Sequence, residues 1–355
     1  MIAQDTRIEI EKASSSRLAE SNINNCAFGR VFSDHMMVMN YKDGKWSNAS
    51  IKPFQNLSLS PAAMVFHYGQ AIFEGMKAYR LENGEVGLFR AMDNIKRMNI
   101  SAKRMSMPEI PEDLFLEGLK TLVKLDRNWI PSNADSSLYI RPVMFATDEF
   151  VGVRASQGYK FVIFTSPANA YYNSPVKVKI ESYYSRSCKG GTGFAKAAGN
   201  YAASLYPANL AREDGYDQLI WTDAETHTHV EEAGTMNVMF VIDGKLLTPP
   251  SSGTILDSIT RKSVVTLAEQ MGIPVEERAI TVKEIMDAIH SGKLEEAFGA
   301  GTAATIAPIC LIGYEGKNYD LKDSKTWKFA PALLKELNMI RTGKKEDINN
   351  WVTRL

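Results

Sequence analysis

The sequence is poor in cysteine and has no long apolar run. Its three cysteines, Cys26, Cys188 and Cys310, lie far apart and form no C-x-x-C pair, so they do not indicate a disulfide framework. The N-terminal stretch MIAQDTRIEIEKASSS lacks both the apolar core of a signal peptide and the acid-poor composition of a transit peptide. No apolar stretch is long enough to span a bilayer. These absences predict a cytoplasmic protein with reduced thiols.

The chain also lacks net charge, because 41 Lys and Arg residues balance 41 Asp and Glu residues. A neutral chain provides no field that would attract nucleic acid or an anionic membrane. We therefore expect small molecules as partners, with no nucleic acid and no membrane. The length of 355 residues suggests two domains at about 150 residues per domain.

Turn dipeptides and periodic segments organise the first half of the chain. Asp43-Gly44 and Asn83-Gly84 predict two-residue hairpin loops between antiparallel strands. Pro111, followed by two acidic residues, predicts the start of a helix. The predicted helices cover 92–105 and 111–125, and strand-like runs cover 137–147 and 160–166.

The segment SPANAYYNSPVK concentrates Pro, Asn and Ser between two strand-like runs, which is typical of an interdomain connection. We expect an N-terminal domain over 1–171, a connection over 172–182 and a C-terminal domain over 183–355. The second half predicts a helix that ends at Gly215, another from near Asp257 to Gly272, and a capping box at Thr281 and Glu284. Strands are predicted over 217–223 and 236–242. The pattern indicates two α+β domains.

Lys196 lies in the stretch SCKGGTGFAKAAGNYAASL, which is otherwise rich in glycine and alanine. Glycines allow close approach of the backbone to another group. A phosphate-binding P-loop is excluded because Ala195 and Ala197 flank the lysine, and a dinucleotide fingerprint is excluded because Lys196 stands in place of its third glycine. The remaining chemical use is that of an amine nucleophile. Composition alone leaves open a solvated surface lysine.

Three motifs follow one another in the order found in pyridoxal-phosphate aminotransferases of fold type IV: GTGFAKAAGNYAASL, VEEAGTMN and FGAGTAA. Upstream, FQNLSLSPA, HYGQAIFEGMKAYR, LFRAMDNIKRM and LYIRPVMF resemble the branched-chain amino acid aminotransferases. The resemblance runs from about Phe28 to the C-terminal region. It implies an α+β fold of the D-amino acid aminotransferase-like type, with a small α/β domain and a larger domain that has an antiparallel barrel-like core and flanking helices.

The resemblance also implies the cofactor, pyridoxal 5'-phosphate, and the residues that hold it. Lys196 would form the Schiff base and move the proton between the substrate Cα and the cofactor. Glu232 would face the ring nitrogen, whose protonation makes the ring an electron sink. A helix N-terminus and a fixed cation suit a phosphate. The implied cofactor set is Lys196, Arg97, Tyr201, Glu232, Thr235, Ile259, Thr260 and Thr302. Taken singly, Arg97 is also compatible with a solvated surface residue and Tyr201 with a half-buried core residue.

The substrate pocket of such an enzyme has to be apolar and yet hold a cation, since it admits both a leucine side chain and the second carboxylate of glutamate. Family positions match Phe28, Tyr68, Phe73, Tyr139, Arg141 and Tyr171, with Arg141 available to pair with that carboxylate. The backbone near Thr302 and Ala303 would bind the α-carboxylate. The loop DEFVGV would place Val151 and Val153 at the neighbouring subunit's site, which implies a homodimer.

The implied reaction is a two-step transfer of the amino group between L-leucine, L-isoleucine or L-valine and 2-oxoglutarate. The motif Tyr139-Ile140-Arg141 favours this reaction over that of a D-amino acid aminotransferase or an aminodeoxychorismate lyase on the same fold. A binding protein that has lost catalysis is disfavoured by the joint presence of Lys196, Glu232, Tyr201 and Arg97. Some relatives carry a C-x-x-C redox pair after the Gly-Thr turn. Residues 304–307 here are Ala, Thr, Ile and Ala, so we expect no thiol switch of that type.

The run ETHTHVEE is a competing site, because His227, His229, Glu231 and Glu232 resemble metal ligands. If the run is a strand, alternation puts both histidines and Glu231 on one face and Glu232 on the other. The histidines would then point away from the cofactor carboxylate. We interpret the run as a solvated polar edge and predict no metal.

Overall fold

The computed structural model describes residues 8–133, 136–169 and 174–355. Within these ranges the chain has two β-sheets and seven α-helices. The strands are β1 (Glu9–Ile10), β2 (His35–Lys42), β3 (Lys45–Trp46), β4 (Ser50–Pro53), β5 (Ala71–Phe73), β6 (Met76–Arg80), β7 (Val86–Phe89), β8 (Ser137–Ala146), β9 (Tyr159–Ala168), β10 (Val176–Ile180), β11 (Gln218–Thr222), β12 (Val230–Ala233), β13 (Met236–Ile242), β14 (Lys245–Thr248), β15 (Val275–Glu277), β16 (Leu294–Gly301), β17 (Thr305–Tyr314), β18 (Lys317–Asp320) and β19 (Val352–Arg354).

The helices are α1 (Met64–Tyr68), α2 (Ala91–Arg104), α3 (Glu112–Leu125), α4 (Ala198–Glu213), α5 (Ile259–Gln270), α6 (Val282–His290) and α7 (Phe329–Arg341). None of the helices in the described ranges is both long and apolar enough to cross a membrane.

The chain divides into two compact units. The N-terminal unit takes the described parts of Met1–Tyr171 together with Ala195–Gly199 and Ile340–Leu355. The C-terminal unit takes the described parts of Tyr172–Phe194 and Asn200–Met339. Lys196 therefore belongs to the N-terminal unit, although the chain on both sides of its short segment belongs to the C-terminal unit.

The N-terminal unit is built on a ten-stranded sheet in the order β1-β4-β2-β9-β8-β6-β7-β19, with β3 paired to β2 and β5 paired to β8. Helix α3 packs closely on this sheet, since a Cβ at Gly118 would lie 2.4 Å from the sulfur of Met37 on β2. Phe115, Leu119 and Leu122 of the same helix are fully buried in the core. The C-terminal strand β19 completes the sheet by pairing with β7.

The C-terminal unit contains a closed barrel of six strands. Strands β12, β11, β10, β17, β16 and β13 pair in that order, and a further pairing of β12 with β13 closes the ring. Its interior is apolar, with Val178, Val238, Phe240, Ala297 and Ile309 fully buried. The predicted α+β fold with a barrel-like core in the second half is thus confirmed, but the barrel is mixed and not antiparallel as predicted, because β10 pairs in parallel with both β11 and β17.

The turn predictions are confirmed, one of them with a correction. Asp43 and Gly44 form a two-residue loop between β2 and β3, with φ angles of 51° and 76°, as a hairpin of this type requires. Gly84 also has a positive φ, of 83°. The strands around it, however, end at Arg80 and resume at Val86, and Leu81 and Glu85 bond across a longer loop.

The predicted capping box is half formed. The Thr281 side chain accepts a hydrogen bond from the Glu284 backbone N–H (3.0 Å) and caps α6. The Glu284 carboxylate instead accepts two bonds from the Arg278 guanidinium, at 2.9 and 2.6 Å. A guanidinium is a stronger donor to a carboxylate than a backbone amide is, which explains the difference.

Candidate active site

The predicted site residues divide between the two units. Lys196, Arg97 and the described residues predicted for the substrate side chain lie in the N-terminal unit, whereas Glu232 and the predicted α-carboxylate site at Thr302 and Ala303 lie in the C-terminal unit. Tyr171 falls outside the described residues. The remaining cofactor residues, all in the C-terminal unit, are Tyr201, Thr235, Ile259, Thr260 and Thr302.

The backbone of Lys196 is fixed by two neighbouring elements. Its N–H donates to the Ser101 hydroxyl of α2 (2.9 Å), and its carbonyl accepts from the Phe73 N–H of β5 (3.1 Å). Ala195 and Ala197 on either side are buried, at 1% and 2% exposure. The Lys196 Nζ lies 4.8 Å from the centroid of the Phe73 ring. Hydrogen bonds from the N–H and to the carbonyl thus hold the Lys196 backbone in place. They position its amine beside the face of the Phe73 ring.

Four of the predicted substrate residues come together around that ring. The Arg141 guanidinium lies 4.7 Å from the Phe73 centroid and donates to the Tyr139 hydroxyl at 2.8 Å. The Phe28 ring meets the Tyr139 ring edge-on at 4.9 Å. Among the described residues, the buried Arg141 Nε has no hydrogen-bond acceptor. This group combines apolar surface with a cation that still has a donor to offer to a carboxylate.

Gly75 makes room for this cluster. A Cβ at Gly75 would lie 2.3 Å from the Tyr139 hydroxyl oxygen, a distance that no side chain tolerates. Glycine at this position therefore allows the Tyr139 ring to lie against the backbone, with its hydroxyl aimed at Arg141. The glycine of the FEGMK motif thus shapes this cluster, because it has no side chain that would displace the Tyr139 ring.

Three other substrate residues are exposed in the single chain. Tyr68, at the end of α1, is 38% exposed and contacts the His67 ring. Val151 and Val153 are 69% and 89% exposed, which is unusual for apolar side chains. Their roles remain predictions.

Arg97 is a buried residue of α2, which corrects the alternative of a solvated surface arginine. Its guanidinium donates to both oxygens of Glu74, from Nε at 2.7 Å and from the terminal nitrogen at 2.8 Å. The exposures of Arg97 and Glu74 are 6% and 0%. Two parallel bonds fix the plane of the guanidinium as well as its position.

Glu232 lies on β12 and is 4% exposed. One carboxylate oxygen accepts from the Leu256 N–H (2.9 Å) and the Asn237 amide (3.2 Å). The other lies 2.8 Å from the Arg186 Nε, an ion pair that lacks the alignment of a hydrogen bond. These contacts stabilise the ionised carboxylate in a buried place. The sequence predicts a role for Glu232 but gives no indication of Arg186, because an isolated arginine in a loop gives no signal of burial.

Arg186 also organises the glycine-rich stretch. Its terminal nitrogen donates to the carbonyls of Gly193 (3.2 Å) and Thr254. A Cβ at Gly193 would lie 2.4 Å from the Thr254 carbonyl oxygen and 2.0 Å from the Ser187 hydroxyl. This glycine thus accommodates the protein's own backbone, whereas the sequence argument assigned the glycines to the approach of a ligand.

Two loop ends carry the predicted phosphate residues. Ile259 and Thr260 begin α5, which Ser258 caps by accepting from the Arg261 N–H (3.2 Å). The first N–H groups of a helix have no acceptor within the helix, and its N-terminus favours anions. Thr302 and Ala303 are half-buried in the turn between β16 and β17.

Tyr201 and Thr235 complete the set. Tyr201 is half-buried near the start of α4. Thr235 is exposed in the turn between β12 and β13, next to Gly234 with φ of 58°.

The strand interpretation of ETHTHVEE is wrong in part. Strand β12 begins at Val230, and His227 lies in the preceding turn with φ of 53°. Asp223 organises this turn by accepting from the backbone N–H groups of Thr226, Thr228 and His229. In the described part of the chain, no group of three or more His, Cys, Asp and Glu residues is arranged to hold a metal.

The donor set fits pyridoxal phosphate. A phosphate ester needs a fixed cation or helix N-terminus, an aldehyde needs an amine, and a pyridine nitrogen needs a carboxylate that remains ionised. Each unit contains groups of these types: Arg97 and Lys196 in the N-terminal unit, and the start of α5 and Glu232 beside Arg186 in the C-terminal unit.

Comparisons with known proteins agree with the chemistry of these residues. The amino-transferase class IV family model matches residues 71–312. A branched-chain-amino-acid aminotransferase of Bacillus subtilis is 44% identical over 100% of this chain and 98% of its own length. The fold resembles a branched-chain aminotransferase of Thermoproteus uzoniensis crystallised with norvaline (TM-score 0.74, 27% identity, covering 90% and 99% of the two chains). It also resembles the PLP form of the Thermobaculum terrenum enzyme (TM-score 0.72, 25% identity, covering 90% and 98%).

Proposed function

This chain belongs to the branched-chain-amino-acid aminotransferases of class IV, and on that premise we propose that it exchanges amino groups between branched-chain L-amino acids and 2-oxoglutarate with pyridoxal phosphate as cofactor. The observation that carries the proposal is the cluster of Phe73, Tyr139 and Arg141 beside the Lys196 amine. Its rings suit an apolar side chain, and its guanidinium suits the second carboxylate of glutamate.

Each residue of this chain has a separate task in the proposed reaction. Bound pyridoxal phosphate supplies an electron sink for the charge that develops at the substrate Cα. Lys196 Nζ holds the cofactor and carries the proton that leaves the Cα. Glu232 keeps a proton on the ring nitrogen because Arg186 and the Leu256 N–H stabilise its own negative charge. Tyr201 binds the cofactor's ring oxygen.

The other residues of the proposed site bind the cofactor's phosphate and the substrate. Arg97, Ile259, Thr260 and Thr302 bind the phosphate, and Thr235 belongs to the same cofactor set. The backbone at Thr302 and Ala303 binds the α-carboxylate. The side chain of the substrate meets Phe28, Tyr68, Phe73, Tyr139, Arg141 and Tyr171.

We further propose a cytoplasmic homodimer. The exposure of Val151 and Val153 supports a partner at this loop, since two exposed valines close together suit a contact surface. Val151→Ser and Val153→Ser together should raise KM for L-leucine. A fully active monomer at assay concentration, measured by light scattering, would contradict the homodimer.

The test of the function is the visible spectrum of the protein with pyridoxal phosphate. L-leucine should convert the bound cofactor to its amino-carrying form, and 2-oxoglutarate should restore the starting spectrum. Lys196→Ala should abolish this cycle. Lys189→Ala is the matched control, because Lys189 is an exposed lysine of the same glycine-rich stretch. A Lys196→Ala protein that cycles normally would refute the assignment, and failure to react with either enantiomer of leucine would refute the activity.

A further inference from the structure

Lys77 is a buried lysine on the same sheet face as the substrate cluster. In the β6–β8 pairing Lys77 lies directly opposite Tyr139, and directly paired residues project to the same side of a sheet. Tyr139 in turn accepts a hydrogen bond from Arg141. Gly75, two residues before Lys77, lies under the Tyr139 hydroxyl. Lys77 therefore flanks the Tyr139–Arg141 pair from the neighbouring strand.

The surroundings of Lys77 are dry and carry positive charge. Lys77 is 8% exposed. Among the described residues, Tyr139 and Arg141 of β8 and Tyr79 of its own strand project to the same side of the sheet as Lys77, and the charge of Arg341 of α7 also acts on it. The Arg341 guanidinium is itself 3% exposed and lies 5.6 Å from the Tyr79 ring centroid. Desolvation, followed by the charge of Arg341, lowers the pKa of Lys77 to about 7.

We propose that Lys77 is a specificity-determining residue: its positive charge adds to that of Arg141 and favours the acidic substrate over apolar ones. The inference rests on the proposed function and goes beyond it, because it assigns the choice between the two substrate classes to a group outside the cluster around Phe73. The side-chain carboxylate of 2-oxoglutarate is the group that responds to this charge. An apolar side chain does not respond to it. Lys77 acts on this carboxylate at a distance through its charge, from the strand next to Tyr139 and Arg141, and is therefore not a catalytic residue.

The proposal has a definite pH dependence. Below its pKa Lys77 is charged and attracts the acidic substrate together with Arg141. Above its pKa Lys77 is neutral, so its contribution to this attraction is lost. The preference for 2-oxoglutarate over an apolar 2-oxo acid should thus fall as pH rises through about 7, by roughly 3- to 10-fold between about pH 6 and about pH 9.

The experiment measures a ratio of two specificity constants. With L-isoleucine as the common donor, kcat/KM is determined for 2-oxoglutarate and for 4-methyl-2-oxopentanoate across this pH range. Both acceptors react with the same form of the enzyme, so titrations of Lys196, of the cofactor and of the donor cancel in the ratio. The variants are Lys77→Arg, which keeps the charge at every pH, and Lys77→Met, which removes it at similar length.

The wild-type ratio should fall with pH, the Lys77→Arg ratio should stay high, and the Lys77→Met ratio should stay low. A Lys77→Met enzyme that retains the wild-type pH dependence would overturn the inference, as would a Lys77→Arg enzyme whose ratio falls like that of the wild type. If Lys77→Met does not fold, as judged by circular dichroism, Lys77→Arg decides alone. A wild type that does not transaminate refutes the proposed function, whereas active wild type with a constant ratio refutes only the role of Lys77.

Discussion

In the described residues, a buried arginine–glutamate pair occurs in each unit of the chain, and the two pairs are built differently. In the N-terminal unit, Arg97 and Glu74 share two parallel hydrogen bonds. In the C-terminal unit, Arg186 forms an ion pair with Glu232. The hydrogen bonds to this carboxylate come from other donors, the Leu256 N–H and the Asn237 amide. The first arrangement fixes the orientation of the Arg97 guanidinium. The second surrounds the Glu232 carboxylate with donors and a positive charge.

This difference shows which member of each pair the proposed chemistry uses. Glu74 is fully buried and holds the Arg97 cation in place, which in the proposed function serves to bind the phosphate. Arg186 forms an ion pair with Glu232 and donates to two backbone carbonyls, so it stabilises both the charge of Glu232 and the position of the glycine-rich stretch. A buried pair usually contributes little net stability but is costly to break. The pairs are therefore better explained by the charge that each presents.

The largest effect is expected from Glu232→Gln. The amide still accepts from Leu256, but the charge beside the cofactor ring is lost, and Arg186 remains buried without its counter-ion. We expect kcat to fall by about 10²- to 10³-fold and the free energy of unfolding to fall by about 3–5 kcal/mol. Steady-state kinetics and chemical denaturation measure these two changes.

Glu231→Gln is the matched control, because Glu231 is the adjacent buried carboxylate of the same strand. Burial raises its pKa, so a neutral amide is a close substitute for it. This variant should retain most of the activity. The opposite outcome, an inactive Glu231→Gln and an active Glu232→Gln, would reverse the assignment of the two carboxylates.

An intermediate effect is expected from Glu74→Gln in the other unit. The loss of the carboxylate charge leaves Arg97 buried without compensation and should lower stability by about 3–5 kcal/mol. Pyridoxal phosphate should restore much of this loss, because an anion bound at Arg97 stabilises the folded state. The measurement is the melting temperature with and without the cofactor.

The cofactor should not restore Glu232→Gln in the same way, because the cation left without its counter-ion in that variant is Arg186, which is not one of the proposed phosphate-binding residues. Glu74→Gln with Arg97→Met is the second control, and it should be more stable than Glu74→Gln but bind the cofactor weakly. Equal restoration of both single variants would remove the distinction between the two pairs.

The smallest effect is expected from Thr254→Val, which tests the network around Arg186. The Thr254 hydroxyl donates to Glu231 at 2.5 Å, and its loss should cost about 1 kcal/mol. The pKa of Glu231, already raised by burial, should rise further. An acid with a raised pKa in the folded state destabilises that state as pH rises above the unfolded value.

The melting temperature of Thr254→Val should thus fall further below that of the wild type at about pH 8 than at about pH 5. Thr254→Ser keeps the hydroxyl and should behave as the wild type does. A loss of stability independent of pH would show that Glu231 does not sense this hydrogen bond.

Local sequence patterns determine several of the turns and helix starts of the fold. The Asp43-Gly44 turn, the α3 start at Pro111 and the α6 cap at Thr281 all depend on a few neighbouring residues, whose backbone preferences are local. The strand start at Val230 was not predicted, because Asp223 organises the preceding turn through side-chain bonds that alternation does not encode.

The sequence by itself determined the residue types of the proposed site: an amine at Lys196, a carboxylate at Glu232 and aromatic residues with Arg141. Each of these residues can be found in a short sequence motif, because each chemistry needs a particular type of side chain. Only the tertiary structure decided their partners, Glu74 for Arg97, Arg186 for Glu232 and Lys77 opposite Tyr139. The physical reason is that a charge is costly to bury alone, and its counter-ion comes from whichever distant segment the fold brings within a few ångströms.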